Sequence, residues 1–344
     1  MTSWKFYLNS QDAWDAMYAD CATAKHSIDL EQYIFHDEPT HRRFIELFKK
    51  KAIEGISVKL LLDMVGSFDF YESSWVRELR EAGVKIVFFH PISPWRIANF
   101  TSWFFRDHRK LLVIDEHIGH TGGVGFNAKT KDWRDTNIRI VGPVVEQMVH
   151  AFERISKYSP EFHDSFAFIT NAPHPRQRHF YKNLLQALRS ARHRIYITTP
   201  YFIPPVRLFR ALRKAARRGI DVRVLLPRSS DHFFVDLAAQ SFFGLAFRAG
   251  IKIYRYDTPL LHAKTSIVDD HWGAVGSSNF DHLSFVRCYE ANIVTTNLDC
   301  IRELAVIFAN DIEKAEPLER ATWKRRSLVQ KILEPFTWPL HGFF

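Results

Sequence analysis

The sequence predicts an α/β fold built twice: two pseudo-symmetric α/β/α sandwich domains with mixed, largely parallel sheets and one active site at their interface. Three observations carry this. Strand-like apolar runs alternate with amphipathic segments in βαβα order, which implies parallel strands joined by helical crossovers. The order returns after residue 175, where Gly250-Ile251-Lys252-Ile253-Tyr254 matches Gly83-Val84-Lys85-Ile86-Val87 at an offset of 167 residues. A motif of the form H-x-K-x4-D also occurs twice, as His108/Lys110/Asp115 and as His262/Lys264/Asp269. With 17 histidines in the chain, and lysine and aspartate each at about one residue in twenty, chance supplies roughly 0.04 such matches.

In chain order, Gln11 to His26 reads as a helix with Trp14, Met17 and Tyr18 on one face. Ser27 to Phe35 follows as a strand, His41 to Ile53 as a helix stopped by Gly55, and Ser57 to Asp63 as a buried strand. A helix from Ser73 to Ala82, the stop Gly83 and a strand from Val84 to Phe89 complete the first run. The second run has a helix from Phe180 to Ala191, a strand from Arg194 to Tyr201, a helix from Leu208 to Arg218 stopped by Gly219, and a strand from Asp221 to Leu226. The boundaries expected are residues 1–160 for the first half, 161–316 for the second and 317–344 for a basic, aromatic tail.

The halves differ just before their motifs. From the matched glycine to the motif histidine the first half is 13 residues longer, and the excess falls within Pro91 to Arg106. That loop carries Trp95, Trp103, Phe104 and Phe105 among prolines and arginines. It reads either as a buried flap or as a wall of the substrate channel or a membrane-dipping loop, since indole and guanidinium suit the lipid headgroup boundary. The tail repeats the theme with Trp323-Lys324-Arg325-Arg326 and then Phe336, Trp338, Phe343 and Phe344. It reads either as a helix docked on the protein's own core or, with aromatic residues beside a basic cluster, as a peripheral membrane contact, and the second is favoured.

Composition limits the classes. Hydrophobic residues at 46% and charged residues at 25% are globular values and exclude a disordered chain. A net charge of +9 favours an anionic partner, whether nucleic acid, an anionic membrane or a phosphorylated substrate. The three cysteines, Cys21, Cys288 and Cys300, have no metal-ligand spacing and are expected as reduced thiols. Neither a signal peptide nor an uninterrupted apolar run of about 18 residues is found, so a membrane partner would be bound at its surface.

The motif chemistry follows from strand alternation. Residues i and i+2 project to one face, so His108 pairs with Lys110 and His262 with Lys264. Bringing the halves together gathers two imidazoles and two ammonium groups, a set suited to a phosphodiester: one histidine attacks phosphorus, the other handles the proton of the alcohol, and the lysines hold the non-bridging oxygens. This scheme needs no metal or other cofactor. Gly122-Gly123 and Gly276-Ser277-Ser278-Asn279 let donors approach the phosphate, with Gly123, Asn127, Ser277 and Asn279 the phosphate-binding candidates. Asp135 and Glu290 lie 27 and 28 residues after the two histidines, at matching depth, and could fix the imidazole tautomers. Asp115 and Asp269, though part of the motif, fall on the opposite alternation face and read as structural supports.

On these residues the chain resembles the phospholipase D superfamily, with its paired HKD motifs. More narrowly, Trp133-Arg134-Asp135-Thr136, Val141-Gly142-Pro143-Val144-Val145, Thr199-Pro200-Tyr201-Phe202-Ile203-Pro204 and Asp270 through Asn279 are similar to bacterial cardiolipin synthases of the subtype without N-terminal transmembrane spans. The resemblance implies transfer of a phosphatidyl group from a phospholipid such as phosphatidylglycerol to a glycerol-bearing alcohol through a phosphohistidine, with His108 as nucleophile and His262 as acid and base. It also implies a peripheral protein on the cytoplasmic face of a bacterial inner membrane. Hydrolysis, by a phospholipase D or a nuclease using the same site, is the alternative, although an aromatic loop and tail make a nucleic-acid partner unlike this chain. One departure stands out: Asn279 is 17 residues after its histidine, whereas the first half has Gly125 there and Asn127 two residues later.

Overall fold

A computed structural model describes residues 1–91, 105–153, 161–326 and 331. Trp95, Trp103, Phe104 and Trp338 lie outside the described residues. The first half contains strands β1 (Ser3–Asn9), β2 (Ser27–Gln32), β3 (Ser57–Asp63), β4 (Lys85–Phe89), β5 (Leu111–Ile114), β6 (Ile118–Gly122) and β7 (Arg134–Val141). Its helices are α1 (Ser10–Thr23), α2 (Pro39–Ile53), α3 (Phe68–Tyr71), α4 (Ser74–Glu81) and α5 (Val144–Glu153). The second half has strands β8 (Phe166–Asn171), β9 (Arg194–Thr198), β10 (Phe202–Ile203), β11 (Asp221–Pro227), β12 (Lys252–Tyr256), β13 (Thr265–Val268), β14 (Trp272–Gly276), β15 (Phe280–Asp281), β16 (Glu290–Thr295) and β17 (Ala315–Pro317). Between them run helices α6 (His179–Ser190), α7 (Val206–Arg217), α8 (Phe233–Ala249), α9 (His282–Val286), α10 (Leu298–Glu313) and α11 (Arg320–Lys324).

The duplication is visible strand by strand. The first sheet runs β1-β7-β6-β5-β2-β3-β4, and the second repeats that order as β8-β16-β14-β13-β9-β11-β12 with β17 added at the edge. Gly83 and Gly250, the matched pair in the sequence, both take positive φ (99° and 86°) at a helix-to-strand turn. There a side chain is strained and glycine is not.

The sheets are mixed, but the expectation that they are largely parallel is corrected. Within the two large sheets only β2-β3-β4 and β9-β11-β12 pair in parallel, and β10 and β15 form a separate parallel pair. From β5 to β7, and from β13 to β16, neighbours are antiparallel. Short connections such as Asp115–His117 between β5 and β6 can join only antiparallel neighbours, whereas parallel ones need a crossover. The sequence reading also passes over β1, β8 and the 17-residue helix α8.

Three apolar clusters form the core. One lies under α1, α2 and α4 in the first half, and one under α6, α7 and α8 in the second. The third is shared: Leu111, Ile138 and Val145 of the first half pack with Phe168, Ile267 and Ile301 of the second. A common cluster of this kind fixes the halves against each other and so fixes what lies at the seam. Residues 317–326 are still part of the second half, because Pro317 pairs with Tyr254 and Trp323 is buried against Phe243 with ring centroids 5.2 Å apart. Trp323, expected at a membrane, belongs to the core, where a large indole beside helix α8 removes more apolar surface from water.

Candidate active site

Both motif histidines sit just before a strand, on extended chain that crosses the seam. The His108 amide donates to Tyr289 O of the second half (2.9 Å), and the His262 amide donates to Arg134 O of the first (2.8 Å). In return, the Tyr289 and Arg134 amides donate to Arg106 O and Leu260 O. Each half therefore holds the other's histidine by its backbone. Alternation then acts as expected: His108 and Lys110 turn into one cavity, while Arg109 turns the other way into a buried ion pair with Glu31 (Nε to Oε1, 2.7 Å).

A cavity of about 200 Å³ collects His108, Lys110, Gly123, Asn127, Asp135, His262, Lys264, Ser277 and Asn279. Nine of the residues expected from sequence thus meet at one place. Glu290 stands directly behind it. Asp115 and Asp269 do not enter; each lies at the far end of its strand, where its carboxylate accepts three backbone N–H groups. Asp115 takes those of Lys25, His26 and Ser27, and Asp269 those of Arg192, His193 and Arg194, each of the latter at 2.8 Å. They clamp the helix-to-strand turns before β2 and β9. Phe105 is half-buried at the base of its loop, with its carbonyl 2.9 Å from His90 Nδ1, and does not line the cavity.

The carboxylates are exchanged between halves. Asp135 Oδ2 of the first half lies 2.7 Å from Nδ1 of His262, and Glu290 Oε1 of the second lies 3.6 Å from Nδ1 of His108. In each case Nδ1 faces the carboxylate, and Lys264 Nζ lies 2.9 Å from both ring nitrogens of His262. Burial lowers the His262 pKa, and Lys264 lowers it further against the opposing pull of Asp135. Burial alone would raise Asp135, but Lys264, His262 and the Thr136 amide together outweigh it and keep its carboxyl below the usual range. Burial brings Lys264 down to about 7, with Asp135 opposing and Lys110 adding to the shift. Lys110 is lowered by burial as well, despite Glu290 and Asp135. Burial thus disfavours the charged lysines, and an anionic ligand would favour them.

The phosphate-binding candidates divide. Gly123 supplies space rather than a donor: its amide is engaged by Thr136 O, and a Cβ there would meet Asp135 Oδ1 at 2.1 Å. The Ser277 hydroxyl is committed to Glu290 and the Ala291 amide. Asn127 Oδ1 accepts from the Lys129 amide at 3.0 Å and caps a short 3-10 turn. Asn279 differs, since its side-chain oxygen is buried without a hydrogen-bond partner among the described residues. Gly125, at the matching first-half position, also lines the cavity.

Seven further lining residues carried no site role in the sequence reading: Tyr33, Ile34, Thr130, Trp133, Tyr201, Asp231 and His232, of which Trp133 and Tyr201 entered it only within segments that carry the family resemblance. The Tyr33 ring lies 4.1 Å from that of His108, and the Trp133 ring 5.2 Å from that of His262. Tyr201 donates to Asp231 Oδ1 at 2.6 Å. A signal for two of them was present, because Tyr33 and Tyr201 follow β2 and β9 almost one repeat apart, at the carboxyl ends of parallel strands where ligands gather.

His108, Cys288 and Glu290 bring an imidazole nitrogen, a thiol and a carboxylate oxygen within 4.8 Å of one another. Burial holds the Cys288 thiol well above its ordinary pKa, and Glu290 pushes it the same way.

Two equivalent domains sharing one cavity, with paired histidines and lysines and exchanged carboxylates, define a phosphodiester-processing enzyme of duplicated HKD type. Residues 18–156 and 184–312 match the family described as "Cardiolipin synthase, PLD-like domain", and the chain belongs to that family. It is 31% identical to a cardiolipin synthase of Listeria monocytogenes over 96% of this chain and 73% of that protein. To cardiolipin synthase A of Pseudomonas putida it is 32% identical, over 91% and 69%. Among solved structures it resembles a phosphatidylserine synthase of Haemophilus influenzae, with a TM-score of 0.74 and 13% identity over 99% of this chain and 94% of that one. At that identity the likeness speaks for the fold. Among the described residues no helix is long and apolar enough to cross a membrane.

Proposed function

We propose that this protein is a phospholipid transphosphatidylase of cardiolipin synthase type, acting at a membrane surface. The observation that carries the reading is the exchanged pairing of His262 with Asp135 and His108 with Glu290 around a cavity that also holds Lys110 and Lys264. In the first step Nε2 of His108 attacks phosphorus, a P–N bond forms and the P–O bond to the leaving alcohol breaks, while His262 gives that alcohol its proton. In the second, neutral His262 takes the proton of the acceptor hydroxyl, whose oxygen attacks phosphorus and releases His108.

The nucleophile assignment follows the family resemblance. Burial and Lys264 lower the His262 pKa, and the phosphodiester charge opposes that shift and favours the acid form. Lys110 and Lys264 neutralise the non-bridging oxygens. Asn279 lines the cavity beside them, with its side-chain oxygen buried. Family membership supports a phospholipid as the donor, and the proposed acceptor is a second glycerol-bearing lipid.

Incubating the protein with phosphatidylglycerol vesicles in the presence of a chelator is expected to yield cardiolipin and glycerol, resolved by lipid mass spectrometry. A denaturing quench at neutral to alkaline pH, where a phosphohistidine survives, is expected to trap a phosphorylated peptide containing His108, and His108→Ala or His262→Ala to remove product formation. Phosphatidic acid as the sole product would replace transfer by hydrolysis. A lack of any new lipid, with cleavage of single-stranded DNA instead, would overturn the proposal.

A further inference from the structure

A larger cavity, of about 680 Å³, lies away from the catalytic one, between α7 and α8. Its floor is apolar, with Pro204, Phe209, Phe242 and Leu245, and its rim carries Arg210, Arg213, Arg217 and Arg248. No carboxylate lines it, and among the described residues none of these four arginines has an ion-pair partner. The Nε of Arg213 is buried without a hydrogen-bond partner, a costly state unless an anion satisfies it. Helix α7 has no acidic residue at all, and Arg207, Lys214 and Arg218 carry its charge onto the adjoining surface.

Apolar side chains extend this region toward the active site. Phe233, Phe234 and Val206 are 70%, 69% and 63% exposed. The two phenylalanines open α8 directly after Asp231 and His232, which line the catalytic cavity. Pro204 follows Tyr201, another lining residue, after only the two residues of β10. Exposed phenyl rings beside a mouth, next to an apolar trough with a cationic rim, match an amphiphile with a negative head. A nucleic acid would leave the trough floor unfilled. The chain's own residues 327–344 contain one lysine and one glutamate and offer the rim no net counter-charge.

We propose that the α7–α8 trough is a second, non-catalytic lipid site, in which an anionic phospholipid of the bilayer lays its acyl carbons on the floor and its phosphate against the arginines. With Phe233 and Phe234 it holds the catalytic mouth to the membrane. The inference rests on the transphosphatidylase reading only for its choice of a bilayer lipid as occupant.

The test is co-sedimentation of the full chain with vesicles of phosphatidylcholine, with and without phosphatidylglycerol, together with turnover of phosphatidylglycerol presented in vesicles or dispersed in detergent. The triple substitution Arg210→Gln/Arg217→Gln/Arg248→Gln is expected to weaken binding to anionic vesicles by about tenfold or more, since each basic residue near an anionic surface contributes measurably. Phe233→Ser/Phe234→Ser is expected to weaken it separately. Both variants should keep the wild-type melting temperature and detergent-phase turnover while losing vesicle turnover. Variants that sediment like the wild type overturn the proposal. So does displacement of vesicles by equimolar inorganic phosphate, which marks a site for a soluble anion, or by single-stranded DNA, which marks a nucleic-acid surface. Vesicle binding that requires removal of residues 327–344 assigns the trough to the chain's own end and overturns it too. Absence of turnover by the wild type in detergent would count against the proposed function and leave the sedimentation result to decide the trough.

Discussion

Asp135 and Glu290 each stand across the seam from the histidine they face, so the energetic couplings should cross as well. Asp135→Asn and His262→Ala are expected to be strongly non-additive in kcat, whereas Asp135→Asn and His108→Ala are coupled less; a double-mutant cycle on transfer rate checks this. Gly123→Ala tests the same carboxylate sterically. A Cβ 2.1 Å from Asp135 Oδ1 has to displace it, and activity should fall at least as far as in Asp135→Asn. Lys264 supplies a pH prediction. With its pKa lowered to about 7, the ammonium is present below that pH and lost above it, so an anionic substrate binds with uptake of a proton above about pH 7. KM should rise toward tenfold per pH unit there, and Lys264→Arg should flatten the rise because guanidinium stays charged. A KM independent of pH from 6 to 9 would refute the assignment.

At the level of elements, the third motif residue separates folding from chemistry. Asp115 and Asp269 share the motif spacing but tie the turns before β2 and β9 instead of lining the cavity. Asp269→Ala orphans three amides and is expected to cost about 2–3 kcal/mol in a denaturant titration, with kcat within about twofold of wild type. Burial would raise the Asp269 pKa, but the amides of Arg194, Arg192 and His193 outweigh it and hold it below 3.8. A carboxyl lowered in the folded state contributes stability that is complete above its unfolded value and is lost as the pH falls through the folded one. The difference between wild type and Asp269→Ala should therefore narrow only in acid, below about pH 4. Alternation along the motif sets His108 with Lys110 and His262 with Lys264, a local property, but Asp115 and Asp269 stay out of the cavity because they lie past the far ends of β5 and β13, at positive φ (50° and 51°). Strand direction is not local: β5 and β13 carry ordinary buried-strand sequence, and only their pairing with β2 and β9 makes them antiparallel.

Across the whole molecule, the seam is held by a buried, two-pronged ion pair. Arg134 Nε and Nη2 donate to the two oxygens of Asp311 on α10, at 2.9 and 2.6 Å, and the Arg134 backbone carbonyl receives the His262 amide. Asp311→Ala leaves a buried guanidinium unpaired, which costs about 3–5 kcal/mol. It should lower the melting temperature and also reduce kcat, because His262 is positioned through the same residue. Asp269→Ala, by contrast, should affect stability alone. The two variants together separate loss of fold from loss of seam.

The sequence by itself determined the duplication, the alternating elements that carry β2, β3 and β4 and their counterparts β9, β11 and β12, and nine of the residues that meet in the cavity, because repeats, periodicities and motif spacings are all written along one dimension. It could not determine that Asp135 serves His262 and Glu290 serves His108, that Ser277 is spent on Glu290, or that Arg210, Arg217 and Arg248 rim one trough. Those facts depend on distances between residues far apart in the chain, and such distances exist only once the shared core has docked one half against the other.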